Sequence, residues 1–329
     1  MFVDIIHIEE AFKDYILNRL FPRFHLTLRE CRVEVPLIGR KSCIRFLRTS
    51  SGDGYAIRAF LRSRLNEAKL LFSSQRFLEE KGLPVPHIVD LAEKYSSKGV
   101  SFLTEEYLPG ESWETLERSP EAAGKLGGLL AQLHLLESDS WGAFGAKSAN
   151  GKGFGDSQFG LVKNRLYRIG KFLKNDIPSS EFSEIRNWFR GFTKPLNSFI
   201  TFQLIHNKIN RGNVIFSQDK NSMFLLDFST LQYGYRGKDI VQAERALLKN
   251  DDQLVDEFQK EYFRHFPDET KKMYDVFSPF YHAYYHLSKC AANIRRNFMM
   301  RSNKNDETDL LHRKFLSHWN ALLSLVRKS

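Results

Sequence analysis

Cysteine is scarce. Only Cys31, Cys43 and Cys290 occur among 329 residues, and no two fall in a C-x-x-C pair. This sparse, odd set excludes a clustered-thiolate metal site and a disulfide framework, and it suits a reducing compartment. Long apolar runs are missing as well, and none reaches the roughly 20 residues of a membrane-spanning helix. The opening residues, MFVDIIHIEEAF, carry acids early and lack both a basic start and a cleavage site, which reads against a secretory leader. A cytoplasmic location is the expectation, with weak attachment to a membrane surface left open. No internal repeat and no long low-complexity stretch interrupts the chain.

What the chain does have is hydrophobic content, at 42%, enough for a sizeable core in one large domain or two moderate ones. Its formal net charge is +10, which raises affinity for phosphates and other polyanions. The charge forms no long run. The densest stretch is Arg295, Arg296 and Arg301 with Lys304 beyond, and it reads as a solvated basic face. An acidic small substrate or a nucleotide accounts for the basic balance without specific nucleic-acid binding.

The apolar spacing changes along the chain. Ile8, Phe12, Ile16 and Leu20 mark a helix that Pro22 is expected to close. Alternating runs follow. CIRFLRTS and YAIRAFL flank Gly52-Asp53-Gly54 and read as a hairpin. Residues 64–81 have helical spacing, with Gly82 as the C-cap. HIVDLAEKY and GVSFLTEEYL are strand-like. After Pro109-Gly110 the texture becomes helical over 119–136, 158–173 and 179–203, and again from about 239 onward. VIFS and MFLLDFS form a small hairpin between them. The aromatic stretch Phe277 to Tyr285 reads as helical core, or as the lining of an acceptor pocket. This order predicts an α+β fold in two lobes: residues 1–108 hold an N-terminal extension and a small β-rich lobe, and 109–329 a larger helical lobe.

The chemistry concentrates in LIHNKINRGNVIFSQDKNSMFLLDFS, residues 204–229. A kinase catalytic loop reads H-R-D-L-x-x-x-N and is followed by D-F-G. His206 opens such a loop, Asn213 stands seven residues later, and Asp227-Phe228-Ser229 takes the D-F-G place. An amide oxygen and a carboxylate brought together by a hairpin are the hard ligands that magnesium requires beside a triphosphate. The region resembles the aminoglycoside phosphotransferase and choline kinase superfamily, the small-molecule branch of the protein-kinase-like fold. Ala56-Ile57-Arg58 is similar to the V-A-I-K strand, and Glu67 stands where the family's ion-pairing glutamate opens a helix. Gly82 to Pro86, FLTEEYLPG and LAQLHL resemble the family's interlobe junction, hinge and helix in the same order. Asp239-Ile240 resembles the segment after the metal aspartate, where Asp239 stabilises the loop. The resemblance implies ATP and Mg2+ as cofactors and Asn213 and Asp227 as metal ligands. It implies nucleotide contacts at Arg58, Glu67, Glu105, Glu106 and Tyr107, and a structural role for His206.

The departures matter equally. Lys208 occupies the place of the catalytic aspartate, Arg58 that of the β-strand lysine, and the glycine-rich turn is reduced to Gly39. A charged lysine cannot accept a proton from an acceptor hydroxyl. The reading this favours is a nucleotide-binding but catalytically impaired, pseudokinase-like homologue that acts through a protein partner. Two others stay open: an active kinase for a small molecule or saccharide, and an interaction module that no longer binds nucleotide.

Overall fold

The computed structural model describes residues 2–27, 29–35, 43–50, 54–97, 99–145, 153–173, 177–217, 220–300 and 306–328. Gly39, the turn residues Gly52 and Asp53, and Arg301 and Lys304 lie outside them. Residue contacts divide the chain into two units, Met1–Leu129 with Ile209–Leu231, and Leu130–Lys208 with Gln232–Ser329.

The first unit is built on a five-stranded antiparallel sheet. Its strands are β1 (Cys31–Glu34), β2 (Cys43–Thr49), β3 (Gly54–Phe60), β4 (Ile88–Ala92) and β5 (Ser101–Glu106), in the spatial order β1-β2-β3-β5-β4. Strands β2 and β3 form the expected hairpin, with Phe46 opposite Ala56. Ahead of the sheet come helix α1 (Phe2–Tyr15), one wider turn over Ile16–Leu20, and the short α2 (Phe21–Phe24). Pro22 therefore does not close the segment. It sits in the first turn of α2, where a missing N–H costs nothing, and His25 ends the helix in the left-handed region.

Phe12, Tyr15 and Leu20 pack with Leu47, Ile57 and Phe102 into one core, each such burial contributing about 2–3 kcal/mol. The Tyr15 hydroxyl donates to buried Asp90 at 2.7 Å, and the Arg19 and Arg23 guanidinium groups donate to the same carboxylate at 2.8–2.9 Å. Burial alone raises the Asp90 pKa, but these donors hold it below the usual carboxylate range. Helix α3 (Leu65–Glu80) follows β3, and Gly82 caps it at φ +73°.

The hairpin of β10 (Val214–Ser217) and β11 (Ser222–Leu225) belongs to this first unit. Strand β6 (Glu111–Ser112) explains why, because Phe216 pairs with Glu111 and Ile215 with Ser112. By residue contacts the chain enters the second unit at 130, leaves it at 209 and returns at 232, whereas the sequence pattern places a lobe boundary after residue 108. Helix α4 (Pro120–His134) carries the first of these boundaries.

The second unit is mainly helical. Helices α5 (Phe154–Leu173), α6 (Ser179–Gly191), α7 (Thr193–Asn197), α8 (Gly237–Gln242), α9 (Asp252–Phe263), α10 (Asp268–Met300) and α11 (Asp306–Lys328) supply its core, in which Val162, Ile185, Phe280, Leu287 and Phe315 are buried. A small antiparallel sheet accompanies them, from β7 (Glu137–Ser138), β8 (Gly142–Ala143), β9 (Phe202–Ile205) and β12 (Gln232–Gly234) in the order β7-β9-β12-β8. The helix expected over 179–203 is thus two helices and a strand. No described helix is long and apolar enough to cross a membrane.

Candidate active site

Within the first unit, the β10–β11 hairpin sets Asn213 and Asp227 at its two open ends. Val214 pairs with Leu225, and the Leu226 amide donates to the Asn213 carbonyl at 2.9 Å. The tight turn before β10 is made by Asn210, whose side chain accepts from the Gly212 amide at 3.0 Å. Asp227 has φ +63°, a left-handed conformation costly for a residue with a side chain. The Ser229 hydroxyl donates to Asp227 Oδ1 at 2.6 Å, which fixes the carboxylate.

Arg58 projects from β3 toward the same carboxylate. Its Nη1 lies 3.9 Å from Asp227 Oδ1, and its Nη2 lies 3.7 Å from Glu105 Oε1 on β5. All three side chains are at most 18% exposed. Both separations exceed hydrogen-bond reach, and buried Arg58 Nε has no partner among the described residues. The guanidinium is thus held beside both carboxylates by charge, with its Nε donor unused among the described residues. A buried donor without an acceptor costs about 1–3 kcal/mol, a cost that an oxyanion at this place removes. Burial pushes the Glu105 carboxyl upward, opposed by Arg58 and by a hydrogen bond from Gln75, while the Asp227 charge pushes the same way as burial.

The other nucleotide contacts expected from the sequence are placed differently. Glu67 is gripped by Arg64, whose Nε donates to it at 2.8 Å; among the described residues the carboxylates paired with Arg58 are Glu105 and Asp227. Helix α3 instead offers the neutral Gln75, whose amide donates to the Pro86 carbonyl at 2.6 Å. Glu106 pairs with Lys220 at 2.7 Å, and its own amide donates to the His87 carbonyl. The Tyr107 amide donates to the Gly54 carbonyl, and Arg48 lies 3.7 Å over the Tyr107 ring. Gly54 lets the two segments approach closely, since a Cβ would stand 3.0 Å from Tyr107 Cβ.

Within the second unit, Asp239 organises the start of the loop. It is fully buried on α8 and accepts from the His206 amide at 2.6 Å and the Asn207 amide at 2.8 Å. Burial favours its neutral form, yet His134, the nearby His206 and the Asn207 amide keep its pKa lowered. His134 is neutral, its pKa lowered chiefly by burial. Its Nε2–H points at Asp239 Oδ2, 3.4 Å away, and its Nδ1 accepts from the Tyr262 hydroxyl at 2.7 Å. Asn207 has φ +65° and is pinned further by its amide bond to Gln232 at 3.2 Å. His206 is wholly buried, in keeping with a structural role, and Lys208 is half-buried two residues on.

A family model described as the phosphotransferase enzyme family matches residues 45–274. The chain belongs to that family. Solved structures of the kinase-like fold agree in architecture at low identity. A ternary complex of a thermostable mutant of aminoglycoside phosphotransferase APH(4)-Ia with ADP and hygromycin B aligns with a TM-score of 0.62 at 14% identity, covering 94% of this chain and 98% of that one. ADP-bound aminoglycoside phosphotransferase APH(2'')-Ib gives 0.60 at 16%, covering 94% and 98%. A proposed fructosamine-3-kinase from Haemophilus somnus 129PT gives 0.59 at 15%, covering 91% and 95%. A search of curated proteins finds no match. For this phosphotransferase family member, sequence reasoning missed the Arg58–Glu105 pairing and the His134–Tyr262 support of Asp239. The histidine of LAQLHL was a signal for the latter.

Proposed function

We propose that the chain binds a magnesium–nucleoside triphosphate in its first unit and that Lys208 impairs phosphoryl transfer. The observation that carries the reading is Arg58: a buried guanidinium between Glu105 and Asp227 whose Nε has no acceptor. A nucleotide phosphate supplies that acceptor. The ADP held by two structural neighbours supports the same ligand class.

The donor set also fits magnesium. Among the described residues no cluster of three His, Cys, Asp or Glu side chains is found. That suits an ion which takes one carboxylate and one amide oxygen and leaves its other places to phosphate and water. Asp227 and Asn213 are the residues to hold it, and the bound ion would neutralise phosphate charge. Arg58 binds and orients phosphate, and Asp239 keeps the loop amides in register. Lys208 supplies a cation where a proton acceptor is needed. Its loss of general-base help is worth roughly 10²–10⁴ in rate.

A second reading, an active small-molecule kinase, is favoured by the strained Asp227 and the buried Asp239 anchor, both of which persist. A loose transition state asks little of a base. Thermal-shift titration with MgATP tests the binding half, and no shift at millimolar nucleotide would overturn it. Labelled ATP offered with sugars, amino alcohols and lipid headgroup analogues tests the transfer half. Turnover that vanishes in Asp227→Ala would establish the active reading. For the impaired reading, Lys208→Asp should raise basal ATP hydrolysis at least tenfold, and an unchanged rate would count against base loss as the cause.

A further inference from the structure

The helical unit buries three tyrosine hydroxyls with no acceptor among the described residues. Tyr235, Tyr281 and Tyr284 are at most 5% exposed, and none of their hydroxyls has a hydrogen-bond partner among the described residues. Such groups are rare in folded proteins and need a cause. The rings adjoin. Tyr235 stacks on Tyr281 with centroids 5.3 Å apart, and a Cβ on Gly237 would stand 2.8 Å from the Tyr235 ring and 3.1 Å from the Tyr281 ring. Glycine at 237 is what lets these two tyrosines close up.

Two cations flank the third ring. Arg165 from α5 lies 4.5 Å from the Tyr284 centroid, and Lys238 Nζ from α8 lies 5.4 Å from it. Among the described residues neither cation has a carboxylate within ion-pair distance; Arg165 donates weakly to the Leu161 carbonyl at 3.4 Å, and its guanidinium also faces the Tyr284 hydroxyl, opposing the burial that raises that phenol's pKa. Burial, with Arg165 adding and Asp239 opposing, lowers the Lys238 ammonium to about 8. Like charges held near one ring with no counter-ion among the described residues, beside the buried Tyr284 phenol, have the chemistry of an anion site. Lys238 immediately precedes Asp239, the residue that fixes the His206 and Asn207 amides, so the cation pair sits next to the support of the catalytic loop.

We propose that Arg165, Lys238 and the hydroxyls of Tyr281 and Tyr284 bind a carboxylate or phosphate group on the acceptor, so that the acceptor is an anionic small molecule. The substrate assignment rests on the phosphotransferase reading; the anion site itself does not. Cation–π contact alone would leave the arginine and lysine heads satisfied by the Tyr284 face, but it gives the Tyr281 and Tyr284 hydroxyls no acceptor.

The test uses the full chain without nucleotide, at fixed ionic strength. Glucuronate, glucose 6-phosphate, glucose and glucosamine are titrated by calorimetry. Saturable binding of one or both anions, with none for glucose or glucosamine, is expected, and which anion binds identifies the group. Lys238→Met and Arg165→Met should each weaken that binding at least tenfold, and Asp227→Ala should leave it unchanged. Tyr281→Phe removes only a hydroxyl and should weaken it several-fold. If a methionine variant fails to fold, acetylation of Lys238 in the native chain, read by mass spectrometry, replaces it; the bound anion should protect that amine. Binding of neither anion, equal binding of glucose, or no effect at Lys238 by both routes would overturn the proposal. Failure of MgATP binding, measured separately, would sink the nucleotide reading and leave this result standing.

Discussion

Arg58 and Glu105 face each other across adjacent strands of one sheet, guanidinium 3.7 Å from carboxylate, with Asp227 on the other side of the guanidinium at 3.9 Å. The counter-charge for Arg58 on β3 therefore comes from β5, and α3 contributes the neutral Gln75. A strand residue cannot swing away as a helix can. The arginine is thereby paired within a sheet held by its hydrogen-bond ladder, and α3 reaches the pair through the Gln75 hydrogen bond to Glu105.

Replacing Arg58 by methionine should leave two buried carboxylates facing each other. The Glu105 pKa, already raised by burial, would rise further. A carboxyl with a raised folded pKa costs stability above that pKa and recovers it on protonation. Arg58→Met should therefore lose about 2–4 kcal/mol at pH 8 and less at pH 5. Urea unfolding at the two pH values checks this, and an equal loss at both would show that the pair is not electrostatically coupled. MgATP should no longer raise the melting temperature of this variant.

Asp239→Asn tests the loop anchor. An amide keeps the size but presents a donor where two backbone amides and His134 expect an acceptor. A loss of about 2–4 kcal/mol is expected, with faster hydrogen exchange at the His206 and Asn207 amides in particular. Protection at those amides equal to the native chain would mean that the backbone, and not Asp239, holds the loop.

The parts legible in the sequence were those set by local pattern. His206, Asn213 and Asp227 stand at fixed spacing in the sequence, the last two flanking one hairpin, and Gly82 marks the end of α3 because only a left-handed residue closes that turn. Strand β9 was not legible. All four of its residues, Phe202–Ile205, are buried, so it shows no alternation and merged with the helical pattern before it. The partners of Arg58 were hidden for another reason. Glu105 lies 47 residues away and becomes a neighbour only through β3–β5 pairing. The Asp90 cluster, which ties α1 and the following turns to the sheet, joins residues 71 and 75 positions apart in the same way.

Gly110 follows the proline that separates the two textures of the chain. Its φ is +154°, and a Cβ there would lie 2.2 Å from the Phe216 carbonyl oxygen of β10. Backbone oxygen cannot step aside, so Gly110→Ala should cost about 2 kcal/mol or more by separating β6 from β10. Gly128 is the control. It sits inside α4 with open space around its Cα, and Gly128→Ala should stabilise by about 0.5–1 kcal/mol. Opposite signs in denaturant unfolding are the expected result, and two neutral substitutions would mean that the β6–β10 contact is dispensable.

Acid should loosen the helical unit through two buried histidines. Burial lowers His282 to about 4 and His286 to about 3, with Arg245 adding to both. The geometry gives the reason for His282: Arg245 Nε donates to its Nδ1 at 2.9 Å, so that nitrogen must keep its lone pair. His286 Nδ1 lies 3.0 Å from His318 Nδ1, a pairing in which one ring must remain an acceptor. In the unfolded chain both titrate near 6.5. Between about 6.5 and 4 the unfolded state takes up protons that the folded state refuses, so stability is present above that window and lost on descending through it. The contribution is at most about 3 kcal/mol for His282 and about 5 kcal/mol for His286. Glu244, raised by burial, titrates with the opposite sign and blunts the curve, so the comparison must be between variants. His282→Gln and His286→Gln should each flatten the fall in unfolding free energy between pH 7 and 4.5 by about 1 kcal/mol or more. Curves parallel to that of the native chain would place the acid sensitivity elsewhere.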